Sequence, residues 1–189
     1  MLMSSYVDTW DAVVENPPLA YKNLFQKEKD YLRSQITPNS KVLDIGCGNG
    51  RNILSLVDVV GSITGLDNSE KAVEDARKNL QDYSNVEIVL GDAFNLSFEN
   101  GSFDFAILSM TLVNFADGKV KVLEEMKRVI KGDGKVIISV YSEKALPERV
   151  SMYNQVGAKI KSEKDGYIVF EKEGLTSEQF SKDELDDLT

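Results

Sequence analysis

Residues 42–50 read Val-Leu-Asp-Ile-Gly-Cys-Gly-Asn-Gly, a short apolar run that ends in three alternating glycines. A helical pattern follows at once, over residues 51–57. Glycine is needed where a chain turns tightly or lies directly against a ligand, because a side chain would fill that space. The free N–H groups at a helix start also favour negative charge, such as a carboxylate. These residues therefore predict a buried strand, a ligand-binding turn and a helix.

The same alternation of strand and helix continues through the middle of the chain. Strands are predicted at residues 41–45, 62–67, 86–90, 103–109 and 135–141, and helices at 51–57, 70–81 and 119–130. Strands that are apolar on both faces and separated by helices are typical of a parallel sheet covered on both sides. The sequence thus predicts an α/β fold: a doubly wound, Rossmann-like, mostly parallel sheet flanked by helices.

The two ends of the chain differ from this core. Residues 1–40 predict a helical preface, with Trp10 and Tyr21 among its apolar side chains and an interruption at Pro17–Pro18. We interpret residues 1–189 as a single domain: a preface or lid (1–40), a cofactor-binding core (41–142) and substrate-side or C-terminal elements (143–189).

The last segment predicts a helix at 148–156 and a hairpin at 159–172 that turns at Asp165–Gly166. A final helix is expected to be capped by Ser177 or Ser181. Asn68 or Ser69 is expected to cap the helix over 70–81, and Gly132 and Gly134 to end the helix before the fifth strand with a positive φ.

Composition limits the possible functions. The net charge of −9, from 22 basic and 31 acidic residues, disfavours a nucleic-acid partner, because phosphate binding depends on Lys and Arg. One cysteine, Cys47, and no histidine exclude an internal disulfide and a transition-metal cluster, so no metal is expected. The chain has no apolar run of roughly 20 residues and no signal-like start, so we expect no membrane span and a cytoplasmic location.

Glycine spacing separates ligand classes. Gly46, Gly48 and Gly50 stand at i, i+2 and i+4, whereas the dinucleotide fingerprint has its third glycine at i+5. Acidic residues follow the next two predicted strands: Asp67 ends the second, and Asp92 follows the third. A carboxylate at such a strand end accepts hydrogen bonds from ribose hydroxyls in nucleotide-binding folds. The pattern predicts a nucleoside-sized ligand at the carboxyl ends of the strands.

Residues 38–142 resemble the class I S-adenosylmethionine-dependent methyltransferases. The strand and glycine turn are similar to the family's first motif, and residues 103–109 to its fourth strand. Asp67 resembles the family's ribose-binding acid, and Asp92 the residue that meets the adenine amino group. The resemblance implies S-adenosylmethionine as cofactor and methyl transfer as activity.

On the methionyl side, the resemblance implies that Gly46 and Gly48 lie under the cofactor, with Cys47 between them in the same turn. Asp44 would order this turn and reach the cofactor's amino group through water. Ser109 would line the floor near the sulfonium. No catalytic residue is implied, because positioning and water exclusion supply much of the rate enhancement of an in-line displacement.

On the nucleoside side, the resemblance implies that Asp67 holds the ribose, while Asp92 and the backbone of Ala93 frame the adenine. Asn68 and Phe94 would flank the adenine by their positions. Tyr21 in the preface and Arg51 after the turn are candidates for lid or carboxylate contacts.

The acceptor is less well defined by the sequence. Residues 109–115 lack the Asn/Asp-Pro-Pro-aromatic signature of family members that methylate nucleobases or glutamine, which favours a small-molecule or protein acceptor. Alternatives are an aminopropyl transferase that uses decarboxylated S-adenosylmethionine, a non-catalytic binding module and a dinucleotide oxidoreductase. Family members usually end in a helix and an antiparallel strand pair. Here either residues 159–172 supply those strands earlier or the chain is a truncated version.

Overall fold

The computed structural model describes residues 13–14, 16–115, 118–155, 158–164, 167–170 and 176–188. The strands are β1 (Lys41–Ile45), β2 (Ser62–Asp67), β3 (Val86–Leu90), β4 (Phe103–Ser109), β5 (Ile130–Ser139), β6 (Ile160–Lys164), β7 (Tyr167–Phe170) and β8 (Thr176–Glu178). The α-helices are α1 (Leu19–Gln35), α2 (Arg51–Leu56), α3 (Glu70–Asn79), α4 (Lys119–Val129), α5 (Leu146–Gln155) and α6 (Lys182–Leu188). None of these helices is both long and apolar enough to cross a membrane.

Strands β1 to β5 form one parallel sheet in the order β3-β2-β1-β4-β5. The chain moves outward from β1 through β2 to β3 and then returns to the other side of β1 at β4. Open α/β sheets bind their ligands at this point of reversal, outside the carboxyl ends of the strands. The predicted fold, a doubly wound Rossmann-like sheet flanked by helices, is confirmed.

Apolar clusters cover both faces of this sheet. Val42 of β1 packs in one cluster with Leu32 of α1 and Ile53 of α2, whereas its neighbour Leu43 packs in a second cluster with residues of α4. Successive residues of a strand point to opposite faces. Asp44 therefore shares the face of Val42, beneath α1 and α2.

Helix α1 forms most of the described part of the predicted preface. It begins directly after Pro18, a position that suits proline because the first turn of a helix leaves its N–H groups unused. Arg33 near its end forms an ion pair with Asp58, with 2.6 Å between Nη1 and Oδ1. This contact fastens α1 to the loop after α2. The predicted contribution of Trp10 lies outside the described residues.

Strand β5 begins earlier than predicted. It starts at Ile130 rather than Lys135, after which its pairing with β4 is irregular. Gly132 and Gly134 therefore lie inside the strand, and the positive φ expected for them is wrong. Gly134 meets a different requirement, since a Cβ there would lie 2.8 Å from the backbone oxygen of Asp104.

Serine side chains cap the starts of two helices. Ser69, rather than Asn68, caps α3 by accepting the N–H three residues onward at 3.3 Å. Ser181 caps α6: its Oγ accepts the N–H of Glu184 at 3.2 Å, and the Glu184 carboxylate accepts the N–H of Ser181 at 2.7 Å. The alternative cap, Ser177, is wrong because that residue is fully buried in β8.

The segment after β5 carries a second sheet, antiparallel, in the order β6-β7-β8. The hairpin predicted for residues 159–172 is confirmed as β6 and β7, with the turn at 165–166 outside the described ranges. The hairpin does not supply strands beside β5, because β7 pairs with β8 instead. Ile168 of β7 nevertheless packs in the same cluster as Leu43. The division of residues 1–189 into preface, core and substrate-side elements stays a prediction.

The glycine turn generates a stability prediction. Gly50 has a φ of +91°, and a Cβ there would lie 2.5 Å from Cδ1 of Leu80. We expect Gly50→Ala to lower the free energy of unfolding by about 1–3 kcal/mol, because it adds left-handed strain and overpacks the α3 side of the turn. Urea titration measures this loss.

The matched control is Gly132→Ala. At Gly132 a Cβ would meet nothing within 4 Å, and φ lies outside the left-handed region. Its free energy of unfolding should stay within about 0.5 kcal/mol of the parent. Equal losses in the two variants would contradict the account of the turn.

Candidate active site

The glycine turn after β1 is hydrogen-bonded to the end of β2. The N–H groups of Gly46 and Cys47 both donate to the carbonyl oxygen of Leu66, at 2.7 and 3.1 Å. Gly46, Gly48 and Gly50 have φ values of +68°, +54° and +91°. Such values favour glycine because a side chain would collide with its own backbone. The turn is therefore fixed in a shape that these three glycines permit.

Asp67 closes the turn from the other side. Its Oδ2 accepts the N–H of Gly48 at 2.9 Å, and its Oδ1 accepts the N–H of Ser69 at 3.0 Å. Hydrogen bonds to a carboxylate are about twice as strong as those between neutral groups. One carboxylate thus joins the glycine turn to the start of α3, and it remains partly exposed at the end of β2.

The space around the turn differs between its glycines. A Cβ on Gly46 would lie 2.5 Å from Cγ2 of Thr111, so the backbone there packs tightly against the segment after β4. A Cβ on Gly48 would meet nothing within 4 Å. Open space over bare backbone is what the predicted ligand-binding turn requires.

Asp44 is a buried carboxylate in the strand below the turn. It is 1% exposed, and neither of its oxygens accepts a hydrogen bond from the residues described. The pKa of Asp44 is raised to about 7, chiefly by burial; the charge of Arg51 opposes this rise, and the charges of Glu28 and Asp67 add to it. A buried carboxyl without a partner costs free energy, which marks Asp44 as a candidate contact for a cationic ligand group.

Glu28 of α1 joins the ends of three core elements, and the sequence analysis did not select it. Its Oε2 accepts from Arg51 Nη2 at 2.7 Å. Its Oε1 accepts from Ser139 Oγ at 2.7 Å and from Ser109 Oγ. Ser109 and Ser139 are register partners at the carboxyl ends of β4 and β5. The predicted floor residue Ser109 is therefore bound to a carboxylate from the preface helix.

A signal for Glu28 exists in the sequence. Leu24, Glu28 and Leu32 recur at intervals of four along α1, so all three lie on one helix face. An acidic residue inside an apolar stripe is unusual, and burial of its charge needs polar partners. These partners, Ser109 and Ser139, lie more than 80 residues away in the chain, and no local pattern indicates them.

The segment after β4 adopts an uncommon conformation. Met110 has a φ of +54°, in the left-handed region that residues other than glycine rarely occupy. Its N–H donates to the carbonyl oxygen of Ser139 at 2.9 Å and lies 3.2 Å from the Oγ of the same residue. Strained backbone of this kind concentrates at functional sites, where the surrounding structure stabilises it.

On the predicted nucleoside side, Asn68 and Asp92 are exposed next to the ends of β2 and β3. Asp92 Oδ1 accepts the N–H of Phe94 at 2.9 Å, and Ala93 between them is buried. Phe94 packs edge-on against Phe115, with 5.5 Å between ring centroids. The structure thus places these residues beside the carboxyl ends of two neighbouring parallel strands, β2 and β3, and their contacts with adenine stay predictions.

Two further candidates lie in apolar surroundings. Tyr21 packs against Phe25 and Tyr141, with ring centroids 5.8 and 6.4 Å apart, and burial raises its pKa to about 12. Cys47 is buried, and its burial, together with the nearby charges of Asp44 and Asp67, raises the pKa of the thiol. A thiol held neutral is a poor nucleophile. The cofactor-contact roles of Tyr21 and Cys47 stay predictions.

Comparison with known proteins decides the family. A sequence model described as a methyltransferase domain matches residues 36–180, which is most of the chain. The chain belongs to the class I S-adenosylmethionine-dependent methyltransferase family. This assignment confirms the resemblance found in the sequence; the cofactor of that family is S-adenosylmethionine and its reaction is methyl transfer.

Curated relatives of this methyltransferase-family chain include two staphylococcal proteins. The demethylmenaquinone methyltransferase of Staphylococcus epidermidis is 35% identical over 122 residues, which are 63% of this chain and 50% of the relative. The protein of that name from Staphylococcus aureus is 39% identical over 116 residues, 60% of this chain and 48% of the relative. The chain spans about half the length of the curated relatives that it matches.

Solved structures agree on the architecture. The PH0226 protein of Pyrococcus horikoshii is 27% identical, with a TM-score of 0.81 over 97% of this chain and 88% of that one. An S-adenosylmethionine-dependent methyltransferase from Methanosarcina mazei is 22% identical, with a TM-score of 0.67 over 84% of this chain and 81% of that one. The second likeness supports the fold alone.

The unpartnered carboxyl of Asp44 generates a prediction about stability and pH. Its pKa of about 7 in the folded protein exceeds the value of about 3.9 expected in the unfolded chain. Between these values the folded state binds more protons, so this group lowers stability as pH rises from about 4 to about 7. We expect Asp44→Asn to be more stable than the parent above pH 7, by up to about 4 kcal/mol.

The measurement is urea unfolding of both proteins from pH 4 to pH 8.5. Subtracting the two curves removes the titration of groups that do not interact with Asp44, such as Glu125, whose pKa Arg128 lowers to about 2. The difference should be small near pH 4 and grow toward pH 7. Curves that stay parallel across this range would contradict an uncompensated carboxylate.

Proposed function

We propose that this chain transfers a methyl group from S-adenosylmethionine to a small-molecule acceptor, and that the acceptor is a quinone-like aromatic ring. The observation that supports S-adenosylmethionine as the donor is the buried carboxylate of Asp44, which has no hydrogen-bond partner among the described residues. It lies near the end of β1, just before the glycine turn, whose backbone is open at Gly48. Such a group suits the ammonium of an amino-acid moiety, because a cation would supply the missing charge and hydrogen bonds.

The residues present fit this cofactor. The open space over Gly48 leaves room for an extended ligand against the backbone. The Asp67 carboxylate, already oriented by two N–H groups, presents its remaining lone pairs where ribose hydroxyls are expected. Asp92, Ala93 and Asn68 are proposed to bound the adenine. When bound, S-adenosylmethionine would supply a methyl group on a sulfonium sulfur, which leaves as a neutral thioether.

The chain's own contribution is positional. It has no histidine, and its cysteine is buried. Alignment of the acceptor behind the methyl group and exclusion of water lower the barrier without a dedicated base. Helix α1, bound through Glu28 to Ser109 and Ser139, is placed to exclude water from the ends of β4 and β5.

Two observations support an aromatic acceptor. The curated relatives named above are demethylmenaquinone methyltransferases. In the structure, a row of three aromatic rings leads away from the donor site, beginning at Arg51. The guanidinium of Arg51 lies 4.2 Å from the centroid of the Phe25 ring. Phe25 packs on Tyr21, and Tyr21 packs on Tyr141. Aromatic rings favour planar apolar ligands by edge and face packing. A protein side chain remains the second acceptor class, and the cytoplasmic location stays a prediction.

The experiment is a transfer assay with S-adenosylmethionine labelled in its methyl group. The acceptor is a short-chain demethylmenaquinone reduced to the quinol, whose electron-rich ring carbon is the nucleophile and loses its proton to solvent. The matched control is the corresponding menaquinol, in which that carbon already carries a methyl group. We expect label in the first compound and none in the second.

Other outcomes separate the alternatives. Donor binding without transfer to any quinol or phenol, but with transfer to a peptide pool, would contradict the quinone-like acceptor and support a protein acceptor. The donor would be unchanged. Donor binding without any transfer would indicate a binding module. Preference for decarboxylated S-adenosylmethionine would indicate aminopropyl transfer, and absence of donor binding would overturn the proposal.

A further inference from the structure

In the proposed donor site, Arg51 and Asp44 carry opposite charges but form no hydrogen bond with each other. The positive charge of Arg51 acts on Asp44, and its side chain is only 22% exposed. Opposite charges attract strongly where water is largely excluded. Yet Asp44 accepts no hydrogen bond from Arg51 or from any other described residue. Some other interaction must therefore hold the guanidinium away from this carboxylate.

Glu28 and Phe25, one helical turn apart on α1, hold the guanidinium. Arg51 Nη2 donates to Glu28 Oε2 at 2.7 Å, and the guanidinium carbon lies 4.2 Å from the centroid of the Phe25 ring. The Glu28 carboxylate is itself fixed, because its other oxygen accepts from the hydroxyls of Ser109 and Ser139. A carboxylate held on both oxygens is a rigid partner for Arg51.

We propose that Glu28 is a positioning residue of the donor site: it binds Arg51 and thereby keeps the guanidinium from neutralising Asp44, which stays open to the ammonium group of the donor. This inference rests on the proposed function, in which Asp44 receives that ammonium. Glu28 acts through Arg51 and need not touch the donor.

The charges around Asp44 determine what loss of Glu28 does. The groups that face Asp44 are the guanidinium of Arg51 from α2, the carboxylates of Glu28 from α1 and Asp67 from β2, and the thiol of Cys47 in the turn. Without Glu28, Asp44 is the remaining buried carboxylate among the described residues, and the charge of Arg51 already acts on it. Loss of the Glu28 charge and pairing with Arg51 would both favour the ionised form of Asp44 and lower its pKa. The same pairing would compete with the donor.

The test begins with Glu28→Gln, which keeps the shape of the side chain but removes its charge and replaces one acceptor oxygen by an NH2 donor. We expect the pKa of the Asp44 carboxyl, followed by carbon-detected NMR in the donor-free protein, to fall by more than one unit. Titration calorimetry at pH 8 should give an affinity for S-adenosylmethionine about tenfold weaker than that of the parent, which corresponds to about 1.4 kcal/mol.

A second substitution separates positioning from a purely structural role. In Glu28→Gln/Arg51→Gln no guanidinium remains to occupy Asp44, so the double variant should bind the donor more tightly than Glu28→Gln does. A structural defect at Glu28 would not be repaired by removing Arg51. If Glu28→Gln does not fold, Glu28→Asp, whose carboxylate is retracted by one methylene, should lower the pKa of Asp44 by a smaller amount.

The matched control is Asp58→Asn, which removes the surface ion pair between Asp58 and Arg33 of α1. Its donor affinity and the pKa of Asp44 should equal those of the parent. An unchanged or higher pKa of Asp44 in Glu28→Gln, or a double variant that binds no better than the single one, would overturn the inference. Failure of the proposed function is distinguishable, because the parent would then bind no donor while the pKa measurement would still report on Arg51.

Discussion

The carboxylate of Asp67 connects the parts of this molecule that make a site. It accepts the N–H of Gly48 from the turn after β1 and the N–H of Ser69 from the start of α3, so two βα connections share one anion. The parallel sheet brings these connections together, since β1 and β2 are register partners and end at one edge. Local glycine chemistry alone would leave the turn without this fixed position.

Function at this edge opposes stability. Asp44 lies in the same strand as Val42 and Leu43, and an apolar residue there would stabilise the sheet. The buried carboxyl is explained if a cationic group of a ligand lies against it. Glu28, Arg51 and the two serines at the ends of β4 and β5 extend the same principle, because they add a second buried carboxylate, with its polar partners, to the same region.

The sequence predicted the core of the fold and the glycine turn after β1. Strand–helix alternation and the spacing of Gly46, Gly48 and Gly50 are local signals. Strands β1 to β4, the turn and the family could therefore be predicted from the sequence. The start of β5 was wrong, because glycines inside an irregular strand look like a turn. Glu28 was missed, because its polar partners come from distant strands whose approach depends on the packing of α1.

The central claim is that a donor lies against bare backbone at Gly48. Calorimetric titration of S-adenosylmethionine into Gly48→Leu and Gly101→Leu tests it directly, because both glycines have positive φ (+54° and +69°) and both substitutions strain the backbone alike. The account predicts similar losses of stability in the two variants and loss of binding, by more than about 100-fold, in Gly48→Leu alone. Donor binding by Gly48→Leu at the parent affinity would contradict it.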